Sequence, residues 1–173
     1  LPPALPASPS ASAEGMGAGG EFHPLTPERI HDTRKGLNDL ERPGKKATST
    51  SGTSYSVQIT GEGGVPENPA DVLAVVLNVT STESDTPSFV TVWPTGTPRP
   101  TASNLNTDPG QDTPNLVIAR VGTNGRISLY NNAGTGHLIA DLLGWYPQGT
   151  DFTGLTPVRL LDTRTGTGTP AGP

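Results

Sequence analysis

Apolar residues occur along the chain in short blocks, and clusters of Gly, Pro, Asn, Asp, Ser and Thr separate one block from the next. In residues 54–60 apolar and polar positions alternate, which places Tyr55, Val57 and Ile59 on one face of a strand. Residues 72–80 are almost continuously apolar and rich in Val and Leu, which is typical of a strand buried on both faces. Six such blocks predict strands at residues 54–60, 72–80, 88–93, 115–121, 126–130 and 137–146.

Turn signals indicate how these strands are joined. The residues Gly-Thr-Asn-Gly at 122–125 predict a four-residue hairpin loop between the fourth and fifth strands. Gly144 predicts a bulge in the last strand, and together with Pro147 it argues against a helix over residues 136–146. Short strands at intervals of roughly 10–20 residues are typical of β-sandwiches. We therefore predict an all-β, antiparallel β-sandwich, jelly-roll-like or Ig-like, with extended N- and C-terminal segments.

The composition excludes a helix bundle and narrows the class of protein. Among the 173 residues, 22 Gly and 19 Pro make up about a quarter of the chain, roughly twice the average usage. Both residues disfavour helix interiors, Gly through backbone entropy and Pro through its missing N–H group. Charged residues account for only 16% of the chain. This balance favours an all-β extracellular or cell-surface module over a cytoplasmic enzyme.

Charge and cysteine content argue against several partners and cofactors. The net charge is −5, and the 11 basic residues form no stripe that would replace the counterions of a nucleic acid. No apolar stretch approaches the roughly 20 residues that span a bilayer. The chain has no Cys, which excludes disulfides, zinc thiolate sites and Cys nucleophiles. We expect no nucleic acid, no membrane span and no cofactor.

An internal repeat organises the chain. Residues 22–34 (FHPLTPERIHDTR) and 152–164 (FTGLTPVRLLDTR) are identical at eight of 13 positions. The repeat predicts a Pro-, Ala-, Ser- and Gly-rich arm or linker over residues 1–20, a complete module over 21–148, and the opening strand of a second repeat over 149–173. The apolar residues of that second opening need a partner surface, which is either the first module or a neighbouring subunit that accepts a donated strand. The candidate donor residues are Val158, Leu160, Leu161, Asp162 and Arg164.

Several motifs together carry a family resemblance. The opening L-T-P-x-R-[IL]-x-D-T-R is followed in order by A-V-V-L-N-V-T, T-V-W-P-T-G, S-N-L-N, P-N-L-V and H-L-I-A-D-L-L-G-W-Y. As a set these motifs resemble a repeat module of secreted and cell-surface proteins, mainly of actinobacteria and other environmental bacteria. The resemblance covers residues 22–147 and restarts at 152. In that family the module occurs in tandem and is often appended to peptidases, amidases or glycoside hydrolases, which implies a secreted or cell-surface context for this chain.

The repeated Asp-Thr-Arg triplet is the first candidate site. On a continuing strand, Asp32 and Arg34 would share a face and bracket a polar ligand such as a sugar. Alternatively the two residues bind each other and lock the end of the strand. Strand alternation places Arg29 and Arg159 on the opposite side from the aspartates, where each is expected to form a bidentate bond with another carboxylate.

Two adjacent aromatic residues are the second candidate site. Trp145 and Tyr146 face opposite ways on a strand, so one of them is expected to point outward, where its ring would suit a pyranose. The alternative is core or strand-end packing.

Metal and catalytic chemistry have weaker signals. Loop residues Asn104, Asn106, Asp108 and Asp112 supply oxygens that suit calcium, but their spacing matches no known calcium loop and is ordinary turn chemistry. The three His residues are scattered, and Ser103 lacks a Gly-x-Ser-x-Gly elbow. The candidate carboxylates for glycoside hydrolysis are those of Asp32, Glu83, Asp85 and Asp141, and nothing in the sequence pairs them. We expect no catalytic site.

Two functions from different classes follow from the sequence. The first is a structural and adhesive surface module that self-associates into a fibre or array by donating a strand. The second is a module that binds carbohydrate or cell-wall polymer for a secreted hydrolase.

Overall fold

The computed structural model describes residues 22–38, 47–48, 54–149, 152–153, 155 and 158–168. The predicted arm at residues 1–20 lies outside this part of the chain. Nine strands occur in the described residues: β1 (His23–Asp32), β2 (Ala47–Thr48), β3 (Tyr55–Gln58), β4 (Val72–Thr82), β5 (Ser88–Pro94), β6 (Leu105–Thr107), β7 (Thr113–Arg120), β8 (Arg126–Asn131) and β9 (Thr135–Pro147).

These strands form two antiparallel sheets that pack face to face. The first sheet has the order β1–β9–β4–β7, with the short β2 paired to the beginning of β9, and the second has the order β3–β8–β5–β6. Strand β4 is central, and its Leu77 pairs with Leu142 of β9 on one side and with Val117 of β7 on the other. The predicted all-β sandwich is therefore confirmed.

The core lies between the two sheets and is built from alternate residues of each strand. Val57 and Leu129 from the second sheet face Leu77 and Leu142 from the first, and all four are fully buried. Aliphatic side chains removed from water in this way supply the main driving force for folding. The six predicted strands are present with ends within two residues of those expected.

The predicted hairpin at residues 122–125 is wrong. Strand β7 pairs with β4, whereas β8 pairs with β3 and β5, so this loop carries the chain from one sheet to the other. The turn signal itself is real, because Asn124 and Gly125 both have positive φ (57° and 72°). A Cβ on Gly125 would lie 1.9 Å from the Thr60 hydroxyl oxygen, so the packing also requires glycine. Turn chemistry predicts a reversal but not the sheet that the next strand joins.

The predicted bulge at Gly144 is present. Between β4 and β9 the register shifts after the pair Val76 and Gly144, so that the next pair is Leu77 and Leu142. A Cβ on Gly144 would lie 2.4 Å from the Phe22 ring, which covers the strand at this point. The bulge therefore lies where Phe22 and the beginning of β1 approach the backbone of β9 closely.

Candidate functional site

The first Asp-Thr-Arg triplet closes a tight turn at the end of β1. The Asp32 backbone N–H donates to the Leu37 carbonyl (3.2 Å), and the Leu37 N–H donates back to the Asp32 carbonyl (3.1 Å). The Asp32 carboxylate accepts from the backbone N–H of Arg34 (3.0 Å) and from its guanidinium, through Nε (3.0 Å) and Nη2 (2.8 Å). The two candidate residues thus bind each other in a bidentate pair instead of bracketing an open ligand site.

Charges around Asp32 hold its carboxylate ionised although it is fully buried. The hydrogen bonds from Arg34 are the main reason that the pKa of Asp32 lies below its ordinary value, and the Arg29 charge adds to the effect. Arg29 also makes a bidentate bond to Asp141 of β9, at 2.8 and 3.2 Å, which raises the pKa of its guanidinium. The predicted bidentate bond of Arg29 to a carboxylate is therefore present.

The predicted placement of Arg29 on the opposite side from Asp32 is wrong. The register between β1 and β9 shifts between Arg29 and His31, and this irregularity brings Arg29 to 3.6 Å from the Asp32 carboxylate. The predicted placement of Arg159 is wrong as well, because Arg159 Nη1 lies 2.9 Å from Asp162 Oδ2. Simple alternation does not account for a strand that contains a bulge.

Thr33 is the member of the triplet that attaches the turn to the sandwich. Its backbone N–H donates to the Leu138 carbonyl (3.1 Å), and its hydroxyl oxygen accepts from the Leu138 N–H (3.0 Å). The same hydroxyl is hydrogen-bonded to His137 Nδ1 at 2.8 Å, and both side chains are buried. The sequence predicted roles for the Asp and the Arg of the triplet but none for Thr33, although the presence of this threonine in both copies of the repeat is a signal that it matters.

The second triplet forms the same turn. Asp162 accepts from the Arg164 backbone N–H (3.0 Å), Nε (3.0 Å) and Nη2 (2.9 Å), and its backbone exchanges hydrogen bonds with Thr167. The Arg164 hydrogen bonds are the main reason that the pKa of Asp162 falls to about 2. Two copies with nearly equal distances in different surroundings indicate that the turn geometry is encoded locally.

The surroundings of the two turns differ sharply. Ile30 and His31 are 2% and 0% exposed, whereas Leu160 and Leu161, which occupy the same positions in the second copy, are 77% and 61% exposed. Thr163 is exposed, and residues 158–161 do not form a strand. Leu155 and Val158 are exposed as well. The second copy therefore has its turn but lacks the burial that β9 gives to the first.

The predicted aromatic pair makes ring contacts within the chain. Trp145 stacks on His23 at 4.4 Å between centroids and packs against the core. Tyr146 contacts Phe22 (5.4 Å) and stacks on Phe152 (4.4 Å). Phe22 and Phe152 are equivalent positions of the repeat, so both copies contribute a ring to the same tyrosine. The ring faces of Trp145 and Tyr146 that make these contacts are covered by other rings of the same chain and are not available to stack on a sugar.

A cavity of about 490 Å³ lies where the second triplet approaches the second sheet. Arg159 Nη2 donates to the Thr101 carbonyl at 3.5 Å across this region. The cavity is lined by Phe89, Thr101, Ser103, Asn106, Arg159 and Arg164. The second triplet and Arg159 therefore face their own module with polar groups. The apolar side chains that precede the triplet are exposed to water.

The candidate calcium oxygens serve as structural hydrogen-bond acceptors. Asn104 Oδ1 accepts from the Val92 N–H (2.7 Å), and Asn106 Oδ1 accepts from the Ser103 hydroxyl (2.9 Å). Asp112 accepts from the Thr82 hydroxyl. No group of three or more potential metal ligands occurs among the residues that the structure describes.

The candidate carboxylates have polar partners in the sandwich. Asp32 and Asp141 are bound to arginines, and Asp85 accepts from the backbone N–H and the hydroxyl of Thr135. Glu83 lies 3.8 Å from His137 Nε2. Arg29 contacts both Asp32 and Asp141, whereas Asp85 and Glu83 have other partners.

The sequence matches no protein-family model and no curated protein. The resemblance to a surface repeat module therefore stays a prediction. Within the described ranges, no helix is long and apolar enough to cross a membrane.

Proposed function

We propose that this protein is a non-catalytic, extracellular structural and adhesive module, which self-associates by donating residues 158–164 to a neighbouring copy. The observation that carries the proposal is the second Asp-Thr-Arg unit. Its turn is fully formed, whereas the apolar residues that precede the turn are exposed. In the first unit the positions equivalent to Leu160 and Leu161, which are Ile30 and His31, are buried.

Strand addition provides what this segment lacks. An extended segment that joins a sheet gains main-chain hydrogen bonds, while alternate side chains gain apolar contacts. Burial of Val158, Leu160 and Leu161 would each contribute roughly 1.5–3 kcal/mol. Part of this gain is offset by the loss of rotational and translational freedom on association. Because the donor and acceptor surfaces differ, the contact is head-to-tail and produces an open filament unless it closes into a ring.

The surface location rests on composition and resemblance. Lysine is scarce, Gly and Pro are abundant, and the ordered set of motifs is similar to that of secreted bacterial repeat modules. The side-chain contacts also support a non-catalytic role, because each of the candidate carboxylates Asp32, Asp85 and Asp141 is hydrogen-bonded to a structural partner.

Light scattering and negative-stain microscopy of residues 1–173 beside residues 1–150 test the proposal. The strands of the described sandwich all lie within residues 23–147, so the shorter chain keeps them. We expect oligomers or filaments from the longer chain and monomers from the shorter one. Monomers from both chains at every concentration tested would refute self-association.

The cavity beside the second triplet favours a second candidate, the binding of a carbohydrate or cell-wall polymer. Its lining combines an aromatic ring, hydroxyl and amide groups, and two guanidinium groups, which suit a polar and partly anionic sugar. The two candidates make opposite predictions, since strand donation would move Arg159 and Arg164 away from the cavity. A screen of cell-wall glycans against the monomer tests this alternative, and loss of binding in Asn106→Ala would place the ligand in the cavity.

A further inference from the structure

We infer that the acceptor of the donated segment is the free edge of strand β7 in a second copy of this chain. The inference rests on the proposed self-association and specifies the surface that takes part. Strand β7 ends the order of the first sheet, and β4 is the strand that pairs with it. Among the described residues no strand pairs with the opposite edge of β7, so the main-chain groups of that edge are available for another strand.

Strand β9 is a poor acceptor although it covers the first copy of the repeat. It is paired with β1 on one side and with β4 on the other, so it has no free edge along these partners. A donated segment would have to displace β1, which would then expose Ile30 and its neighbours. Each chain has two β1-like segments and one described β9, so the exchange leaves one segment uncovered.

The other edges are shorter or less regular. The pairing of β1 contains two register shifts, one between Pro24 and Glu28 and one between Arg29 and His31. Strand β3 has four residues and β6 has three. Strand β7 has eight residues and pairs with β4 in continuous register from Arg120 to Thr113. It is the longest regular edge in the described sandwich.

The outer face of β7 matches the donor in apolar character. Leu116 and Ile118 are 59% and 46% exposed, and their side chains point away from the core. Eight large apolar side chains are exposed in the described residues, and five lie on the donor segment and β7. The five are Leu116, Ile118, Val158, Leu160 and Leu161.

A single antiparallel register brings apolar side chains of the donor segment opposite those of β7. When Leu160 lies opposite Leu116, Val158 lies opposite Ile118, because positions pair in reverse order.

Two blocking variants and their mixture test the acceptor. Ile118→Lys places a charge on the acceptor, and Leu160→Lys places one on the donor, while both positions are exposed so that the sandwich should keep its melting temperature. Thr26→Lys on the edge strand β1 is the matched control, because it adds a charge at an exposed position outside the proposed interface. Light scattering gives the mass of each variant and of an equimolar mixture of the two blocked variants.

We expect each blocked variant alone to be monomeric and the control to assemble like the wild type. The mixture should yield heterodimers and no filament, because one intact donor meets one intact acceptor. If Ile118→Lys assembles like the wild type, or if the mixture stays monomeric, the β7 acceptor is wrong while self-association through residues 151–173 stands. If the wild type itself is monomeric, both the proposed function and this acceptor are refuted.

Discussion

Substitution of Asp32 by Asn should destabilise the sandwich, whereas the same substitution at Asp162 should not. The two carboxylates make the same three hydrogen bonds to the arginine two residues later. Asp32, however, ends a strand that is paired along β9, and the turn it closes presents Thr33 to that strand. Asp162 closes a turn that pairs with no strand of the described sandwich. The chain therefore contains its own matched control.

The expected loss follows from the hydrogen bonds of Asp32. An asparagine keeps one acceptor oxygen but loses the charge and one arm of the bidentate pair. A hydrogen bond to a charged group contributes roughly 1.5–3 kcal/mol, and water at the partly exposed Arg34 guanidinium offsets some of this loss. We expect the free energy of unfolding to fall by about 2 kcal/mol, which corresponds to a decrease in Tm of roughly 4–8 °C for a chain of this size.

The loss should depend on pH in a defined direction. The Arg34 hydrogen bonds lower the pKa of Asp32 in the folded protein below its ordinary value of 3.8. A carboxyl group with a lowered folded pKa contributes stability above its unfolded pKa, and the contribution disappears as the pH falls through the folded pKa. The difference in Tm between wild type and Asp32→Asn should therefore be full near about pH 6 and shrink below roughly pH 4.

Thermal unfolding followed by circular dichroism, and urea unfolding followed by Trp fluorescence, measure these quantities. Asp32→Asn should be compared with wild type within residues 1–150, so that self-association does not contribute to its stability. Asp162→Asn should be compared with wild type within residues 1–173. A Tm for Asp32→Asn within about 1 °C of wild type would contradict the structural role of the turn. An equal loss of stability in Asp162→Asn would show that the environment of the turn does not matter.

Three further substitutions test separate contacts. Thr33→Val should lower the free energy of unfolding by about 1–3 kcal/mol, because the Leu138 N–H and the His137 imidazole lose their partner. Thr163→Val in the second copy should leave the free energy of unfolding unchanged, and urea titrations measure both variants. Gly144→Ala should cost about 1–3 kcal/mol and alter the near-UV circular dichroism, because the added methyl group would overlap Phe22. Arg29→Gln should cost less than about 1 kcal/mol in the same assay, because its guanidinium is largely in water.

Six of the nine described strands could be predicted from sequence, because each of the six is a local pattern. Alternation in residues 54–60 and the continuous apolar run at 72–80 correspond to the edge strand β3 and the central strand β4. Pairing is a different matter, because β1 and β9 are more than 100 positions apart in the chain. The loop at 122–125 illustrates the difference, since its turn was predictable but its crossing between the sheets was not.

The site was predictable to the same extent. Repetition identified the Asp-Thr-Arg triplet, and the charges of Asp32 and Arg34 suggested that they bind each other. The contact of Thr33 with His137 joins residues 104 positions apart, and no local pattern announces it. The bulge near Arg29 reverses the expected face of that side chain, because one irregular residue changes the alternation of all residues beyond it.

The two copies of the repeat separate what the motif does by itself from what the sandwich adds. The Asp–Arg bonds, the backbone turn and the lowered aspartate pKa occur in both copies, so they require only the local sequence. Burial of the residues before the turn, and the bond from the threonine to a neighbouring strand, occur in the first copy alone. A preformed turn reduces the entropy that the second segment loses on pairing, because its end is already fixed. We therefore propose that the motif prepares a strand for pairing, and that the pairing partner determines whether the strand completes a module or links two molecules.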